Sequence, residues 1–345
     1  MPVLSNNVVR EVLLSDEQKV LVEKANKVFL DNFGKDVWFG RCVFLSWYCS
    51  KGTCDFCFRS TQKHKIAFAE NARRSKESVY SEAIISKVCD WKLEFLTGGY
   101  DVYSFEELLM AAKICSEIFE EKIWINLGVL KKEELLALKP YVEGVVASLE
   151  TVNEELHNKT CPDKPLQPYL DMLKEVEELG FKKGITVVLG LGESIKDYEL
   201  TKKLIFDYKI DRITYYALRP VRGTPYSNGP APEDVVEWIA RTRIDFPLIE
   251  IMAGTAVSRI PEIKFFLEAG ANGFTKLPAT NIFGSSTAKE LSVQAEQAGR
   301  ILRSNFLTLD FSFEKIVNNL SLGVVEKKAL LKKLSDYHTR MTSRY

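Results

Sequence analysis

The 345-residue chain has no apolar run of about 18 residues or more, so no segment reads as a membrane-spanning helix. The segment Met1 to Arg10 lacks a basic stretch followed by an apolar one, so it does not read as a signal peptide, and the expected location is cytoplasmic. Neither sign of charge is in excess: Lys+Arg and Asp+Glu are both 47. That balance leaves no electrostatic footprint for nucleic acid or an anionic membrane. Histidine is scarce, with three residues, and no second Cys-x2-Cys pair lies downstream of the first. Low-complexity linkers and repeats of solenoid period are also missing. Hydrophobic residues at 46% and charged residues at 27% fit an ordinary globular protein. Against this background the cysteines stand out. There are seven, an odd number, and three fall within nine residues. In a long chain without a secretion signal, such a cluster reads as metal binding or catalysis and not as disulfides.

Short apolar runs alternate with amphipathic stretches along nearly the whole chain. Eight runs read as strands: Cys42–Trp47, Leu93–Thr97, Ile123–Leu127, Gly144–Glu150, Ile185–Leu189, Arg212–Leu218, Leu248–Met252 and Gly273–Lys276. The stretches between them carry helix signals. Ser104 and Glu107 form a capping box ahead of Leu108, Leu109 and Ala112. Leu166, Leu170, Leu173, Val176 and Leu179 recur at helical spacing, with Gly180 as a stop. Residues 194–208 and 232–243 repeat the arrangement. Alternation of this kind predicts parallel strands with right-handed crossovers, and eight units predict a (β/α)8 barrel of the TIM type. An open doubly wound sheet is the alternative, but it usually shows fewer units. Three parts follow: an N-terminal helical segment over 1–37, the barrel over 38–305, and a C-terminal helical extension over 306–345. In the first part Ser15 and Gln18 box the start of one helix that ends at Gly34 and is expected to close the barrel bottom. The last part is expected to hold one or two helices.

The central segment runs Trp47-Tyr-Cys49-Ser-Lys-Gly-Thr-Cys54-Asp-Phe-Cys57-Phe-Arg59. It follows the first strand, at the C-terminal rim where such barrels carry their chemistry. Three thiolates in one loop suit a [4Fe–4S] cluster, binding three irons and leaving the fourth open. S-adenosylmethionine (SAM) would chelate that iron and be cleaved reductively to a 5′-deoxyadenosyl radical, chemistry that belongs to the cofactor. The competing reading is a structural zinc site, which needs four closed ligands, with Cys42 or His64 as the fourth.

At these residues the chain resembles the radical SAM superfamily, and the likeness runs from about Trp38 to Asn305. It is most similar to the group of biotin synthase, the HydE-type maturase of [FeFe]-hydrogenase, methylornithine synthase and the HmdB-type maturase of the [Fe]-hydrogenase cofactor. The resemblance implies Cys49, Cys54 and Cys57 as cluster ligands and Phe56 as a backbone contact to the SAM adenine. It implies Thr97, Gly98 and Gly99, ending the second strand, as a receiver of the SAM amino group. Tyr100 stands where the family has Glu, with Asp101 as a substitute. Ser148 and Glu150, two apart on one strand and so on one face, match groups gripping the ribose hydroxyls. Gly190 and Leu191, in Gly190-Leu-Gly192-Glu193, match a backbone contact to the adenosine, where glycines permit close approach. Read singly, each motif is equally a turn or a solvated strand end. Their order, at successive strand ends, is what carries the resemblance.

The chain also departs from the family. Its spacing is Cys-x4-Cys-x2-Cys where most members have Cys-x3-Cys-x2-Cys, with Gly52 free to absorb the extra residue. HmdB-type enzymes are also widened there, by a different amount. The auxiliary cluster of biotin synthase has no counterpart ligands: its places fall at Leu96 or Thr97, Ile123 or Trp124, Gly184 and Glu250. Cys89 and Cys115 lie in helical stretches and read as structural, whereas Cys161 follows the fourth strand and is able to face the site. Tyr169 takes the place of the Arg that holds the SAM carboxylate in biotin synthase, leaving Lys164 or Arg219 for that task.

On the substrate side, Tyr216, Arg219 and Arg222 end or follow the sixth strand, and the two Arg residues are candidates for an anionic group, with surface Arg as the plain alternative. Met252 ends the seventh strand. Lys276 ends the eighth, where a Lys pointing inward needs a partner such as Glu250. His157 reads as a surface-loop residue. The resemblance implies an enzyme of cofactor biosynthesis of HmdB or HydE type that activates a C–H bond of a small molecule. It also implies an electron donor such as ferredoxin or flavodoxin. The alternatives are sulfur insertion of biotin or lipoyl type, a mutase of methylornithine-synthase type, and a non-catalytic zinc-binding barrel.

Overall fold

The structure, a computed structural model, describes residues 12–309 and 311–343. The first 11 residues, Asp310 and the last two residues lie outside the description, and with them parts of the expected terminal segments.

Eight parallel strands close into a barrel: β1 (Asp36–Phe44), β2 (Lys92–Thr97), β3 (Ile123–Asn126), β4 (Val142–Glu150), β5 (Lys182–Leu189), β6 (Arg212–Ala217), β7 (Glu250–Gly254) and β8 (Gly273–Thr275). Their order around the sheet follows the chain, and β1 pairs with both β2 and β8 to complete the ring. A two-residue strand, β9 (Ile301–Leu302), adds to the start of β1 outside the ring. The architecture is thus the TIM-type barrel. Among the described residues no helix is long and apolar enough to cross a membrane.

The strands differ from expectation mainly at β1, at β5, which begins three residues before Ile185, and at β7. β1 begins six residues earlier than the apolar run at Cys42 suggests, because Gly40-Arg41 interrupts the pattern. The ladder shifts register between Arg41 and Cys42 at this point. β7 starts two residues later than Leu248, which is 75% exposed in a turn after Pro247. The helix starts hold: Ser15 and Ser104 each cap their helix with both bonds of the capping box. The first helix, Asp16–Phe33, lies along the helix Pro232–Asp245 on the barrel's flank, so it is no plug. Only its C-terminal end reaches the lower rim, where Phe29 and Phe33 stack on the Arg243 guanidinium. In the C-terminal extension, the helix Val324–Thr342 packs on the helix Lys76–Val88.

The lumen has its own floor. Trp124 on β3 lies flat across β4 and β5, where a Cβ added at Gly144 or Gly184 would come within 2.4 Å and 3.1 Å of its ring. The Arg212 guanidinium stacks on the other side of the indole at 4.0 Å and is paired with Glu250. Beside them the buried Glu94 carboxylate accepts the Thr214 hydroxyl at 2.7 Å, and burial holds it above the usual carboxylate range. Above this layer Phe95, Val146, Val188, Tyr216 and Leu218 form one apolar cluster, separate from the larger core between barrel and helices.

Candidate active site

The cysteine loop leaves β1 at the C-terminal rim, and its backbone is tied down from several sides. Ser50 N donates to Tyr100 O at 3.2 Å, Asp55 N to Thr160 O at 2.9 Å, and Cys57 N to Cys54 O at 3.0 Å. Gly52 takes φ +46, the left-handed turn that makes room for the fourth residue between the first two cysteines. Cys49, Cys54 and Cys57 are free thiols, each partly exposed, and Tyr100 N donates to Cys49 Sγ at 3.5 Å. Phe56, between the last two, packs on the lumen cluster. Arg59 curls back to Ser46 O at 3.1 Å and stacks on Phe44, so cationic charge lines the loop from below.

A thiol that sequence reasoning left undecided belongs here. Cys161, buried after β4, lies beside Cys54, and its proximity together with burial pushes the Cys54 thiol well above its usual range. Metal ligation removes such a proton, since a coordinating thiol is deprotonated outright. Among the described residues no three His, Cys, Asp or Glu side chains converge on a single metal ion, and the two residues expected as a fourth zinc ligand differ in setting. Cys42 lies inside the barrel in mid-β1, and His64 is exposed.

The Gly98-Gly99 turn after β2 sits directly against the cysteine loop, with Gly99 N donating to Ser46 Oγ at 3.3 Å. Tyr100 keeps its ring beside the loop, where the Lys51 ammonium lies 4.9 Å from its centroid. It bonds the Tyr169 hydroxyl and accepts Val129 N–H at 3.1 Å. Asp101, the expected substitute for the family Glu, is exposed with φ +55, and its carboxylate is taken by the Ser50 hydroxyl. A cavity of about 160 Å³ opens behind this turn, lined by Leu45, Tyr100, Asp101, Leu127 and Glu134 among others. No lumen residue borders it, so it flanks the barrel mouth and does not cap it.

Ser148 and Glu150 share the lumen side of β4, with Leu149 between them in the outer core. The register breaks between them and Glu150 adopts φ +62, so simple alternation does not describe the strand's end. Ser148 Oγ exchanges hydrogen bonds with the Asn126 amide at 2.8 and 3.0 Å. Glu150 receives the buried Lys164 ammonium at 2.6 Å. Burial alone would push Lys164 down, but the facing carboxylate more than offsets it and holds the ammonium above its usual value. Lys164 is therefore committed to Glu150, and Tyr169 to Tyr100.

His157, read from sequence as a surface residue, is fully buried. Its Nδ1 lies 2.9 Å from Leu149 O and its Nε2 2.6 Å from Lys164 O, so the ring staples the Cys161–Lys164 turn to the end of β4. At the end of β5, Glu193 folds back on its own loop. Its carboxylate accepts Gly190, Leu191 and Gly192 N–H at 2.5, 2.9 and 3.2 Å. The acidic residue after Gly190-Leu-Gly192 was visible in the sequence, but its task of locking three amides was not.

On the substrate side the expected residues separate. Tyr216 and Met252 are buried in the lumen. Arg219 and Arg222 are exposed on the loop that follows β6, and neither has an ion-pair or hydrogen-bond partner among the described residues. That loop is held to the cysteine loop by Tyr226, whose hydroxyl donates to Asp55 at 3.0 Å. Lys276 does not meet Glu250, which pairs with Arg212 at the floor. Its ammonium lies 4.2 Å above the Tyr216 ring.

Residues 45–205 match the family model described as the radical SAM superfamily. An uncharacterised protein of Methanocaldococcus jannaschii is 38% identical over 304 residues, covering 87% of this chain and 84% of its own length. The biotin synthase of Thermotoga petrophila is 28% identical over 76% of this chain and 88% of its own. The crystal structure of methylornithine synthase (PylB) superposes with a TM-score of 0.68 at 22% identity, over 84% of this chain and 90% of that one, a likeness of fold. With three free thiols on the loop after β1 of a closed eight-stranded barrel, and with these relatives, the chain belongs to the radical SAM superfamily and is an enzyme.

Proposed function

We propose that Cys49, Cys54 and Cys57 hold a [4Fe–4S] cluster and that the enzyme activates a C–H bond of a small molecule in the making of a cofactor, in the manner of HmdB- and HydE-type maturases. The observation that carries this reading is the pairing of one three-thiol loop with a lumen in which, among the described residues, Cys42 is the thiol of the apolar cluster and no second set of three accompanies it. When bound, the cluster and SAM supply the electron and the carbon radical that begin the reaction.

The chain's own residues bind and orient. Thr97, Gly98 and Gly99, with Asp101 beside them, form the face toward the amino acid end of SAM. Ser148, fixed by Asn126, and Glu150, fixed by Lys164, face the ribose. The Phe56 backbone and the Gly190–Leu191 amides, pre-set by Glu193, flank the adenine. Tyr216, Met252 and Lys276 line the substrate side. Arg219 and Arg222, unpaired cations on the rim, suit an anionic substrate group. The exposed edge of the loop is where a ferredoxin or flavodoxin delivers its electron.

Sulfur insertion would call for an expendable second cluster. In this lumen Trp124 occupies the space above Gly144 and Gly184, and Glu250 is spent on Arg212. The deciding measurement is iron and sulfide after anaerobic reconstitution, joined to an assay for 5′-deoxyadenosine with SAM and reductant. About four irons per chain is the expected result, against about six to eight for two clusters. Iron above four that falls when Cys42 or Cys161 is replaced would restore sulfur insertion. Zinc without SAM cleavage would refute the proposal.

A further inference from the structure

The lumen faces of β1, β6 and β8 carry a group of side chains that the cofactor loop does not use. Cys42 Sγ lies 3.4 Å from Thr275 Oγ1 and 3.8 Å from Tyr216 Oη, and all three side chains are buried. One further contact fixes the direction of these bonds. Thr275 Oγ1 gives its proton to the Gly40 carbonyl at 2.7 Å, so toward Cys42 it can only accept. The Cys42 S–H therefore donates to Thr275, and the sulfur is left to accept the Tyr216 O–H. The result is a directed chain from the Tyr216 phenol through the Cys42 thiol and the Thr275 hydroxyl to a backbone carbonyl.

Both titratable members are held neutral. Burial pushes the Cys42 thiol up to about 11. Burial, with Cys42 and Glu94 as neighbours, pushes the Tyr216 phenol well above its ordinary value. A thiolate would serve as a nucleophile or a ligand. A neutral thiol in an apolar lumen serves better as a source of hydrogen atoms, because its S–H bond is weaker than an alkyl C–H bond. The location suits that use, since Cys42 and Tyr216 share one apolar cluster with Phe44 and with Phe56 of the cysteine loop.

We infer that Cys42 is a hydrogen-atom donor to a carbon radical in this barrel and that Tyr216 refills it, a role that rests on the radical SAM reading above. In the first step a C–H bond forms on the radical and the Cys42 S–H bond breaks, leaving a thiyl radical. The thiyl takes the hydrogen atom of Tyr216, so S–H re-forms and a neutral phenoxyl radical remains. One electron from the low-potential one-electron reductant that serves the cluster, with one proton from solvent, restores the phenol. Thr275 is a positioning residue that aims the thiol.

The test needs no knowledge of the substrate. Reconstituted holoenzyme is given SAM and titanium(III) citrate in D2O, so that the exchangeable S–H and O–H carry deuterium. The 5′-deoxyadenosine formed without substrate is then weighed by mass spectrometry. The wild type is expected to place one solvent deuterium in much of it. Cys42→Ser keeps the size and both hydrogen bonds, but its O–H is too strong to give up the atom. The deuterated fraction should fall several-fold while iron content and the cluster's visible absorption stay unchanged. In freeze-quenched wild type a narrow tyrosyl signal is expected by electron paramagnetic resonance, and Tyr216→Phe should abolish it. A deuterium fraction that Cys42→Ser leaves unchanged overturns the relay and leaves the cofactor reading intact. Absence of 5′-deoxyadenosine in the wild type overturns both.

Discussion

Glu82→Ala is expected to lower stability by about 3–5 kcal/mol, the usual cost of removing one partner from a buried ion pair. Glu82 lies on the helix Lys76–Val88 at 4% exposure and pairs with two guanidiniums, Arg41 and Arg74. Arg41 also donates to Leu277 O at 2.7 Å, after β8, and Arg74 to Phe44 O at 2.9 Å, where the cysteine loop begins. Arg74 reaches the Tyr337 hydroxyl at 3.2 Å as well, which ties in the C-terminal helix. Alanine would leave two buried cations without a counter-charge, a large part of a total stability of about 5–15 kcal/mol. The pH dependence has a definite sign. Burial pushes the Glu82 carboxyl up, but the two guanidiniums together outweigh it and hold it below the usual carboxylate range. Its stabilisation is therefore fully present above the ordinary carboxylate value and is lost as pH falls through the depressed one. The gap in thermal midpoint between wild type and Glu82→Ala should be constant near neutral pH and close only on strong acidification. A difference in unfolding free energy within about 0.5 kcal/mol at neutral pH, the level of an ordinary surface change, would show that the network is dispensable.

The barrel could be read from the sequence because its strand ends and helix starts are local features. Ser104 with Glu107 marks a helix wherever the rest of the chain lies, and an apolar run such as Ile185–Leu189 fits a strand buried on both faces. The candidate site could be placed at the barrel rim for the same reason: each motif expected to meet the cofactor occupies a few consecutive residues at a strand end. What escaped depends on contacts between distant segments. Trp124 looks like any strand aromatic, and only the absence of side chains at Gly144 and Gly184 lets it floor the lumen. His157 looks like a loop residue, and only the path from Leu149 to Lys164 brings a carbonyl to each ring nitrogen. Lys276 and Glu250 looked like partners on neighbouring strands. They sit at opposite ends of the barrel axis, Glu250 at the start of β7 and Lys276 past the end of β8. The early start of β1 was hidden by the bulge beside Gly40, where pairing and not side-chain pattern defines the strand.

Gly99→Ala should cost the enzyme its cluster while sparing its fold. A Cβ at Gly99 would stand 1.7 Å from the Tyr48 carbonyl oxygen and 2.8 Å from Cys49 Cα. Both are backbone atoms, so no rotamer change relieves the clash, and the turn and the cysteine loop must move apart. The displacement falls on the contacts that hold Cys49: Gly99 N to Ser46 Oγ, Tyr100 N to Cys49 Sγ, and Ser50 N to Tyr100 O. Both moving segments are surface loops at the barrel rim, so the loss of global stability should stay near the about 1–3 kcal/mol of an overpacked site. Three thiols that must reach a common cluster tolerate much less movement than an apolar core does, because ligation is set by distance and direction. The neighbouring glycine supplies the control. A Cβ at Gly98 would meet Leu45 at 3.6 Å, an ordinary van der Waals contact. Iron bound after reconstitution should therefore fall several-fold in Gly99→Ala and remain near the wild-type level in Gly98→Ala, while both variants still unfold cooperatively and Gly99→Ala melts only a few degrees lower. Equal iron in both variants would mean that the loop finds its ligand geometry without the close approach at Gly99. In that case the Gly-Gly turn would serve SAM alone, and the cysteine loop would owe its shape to Gly52 and to its anchor on Thr160.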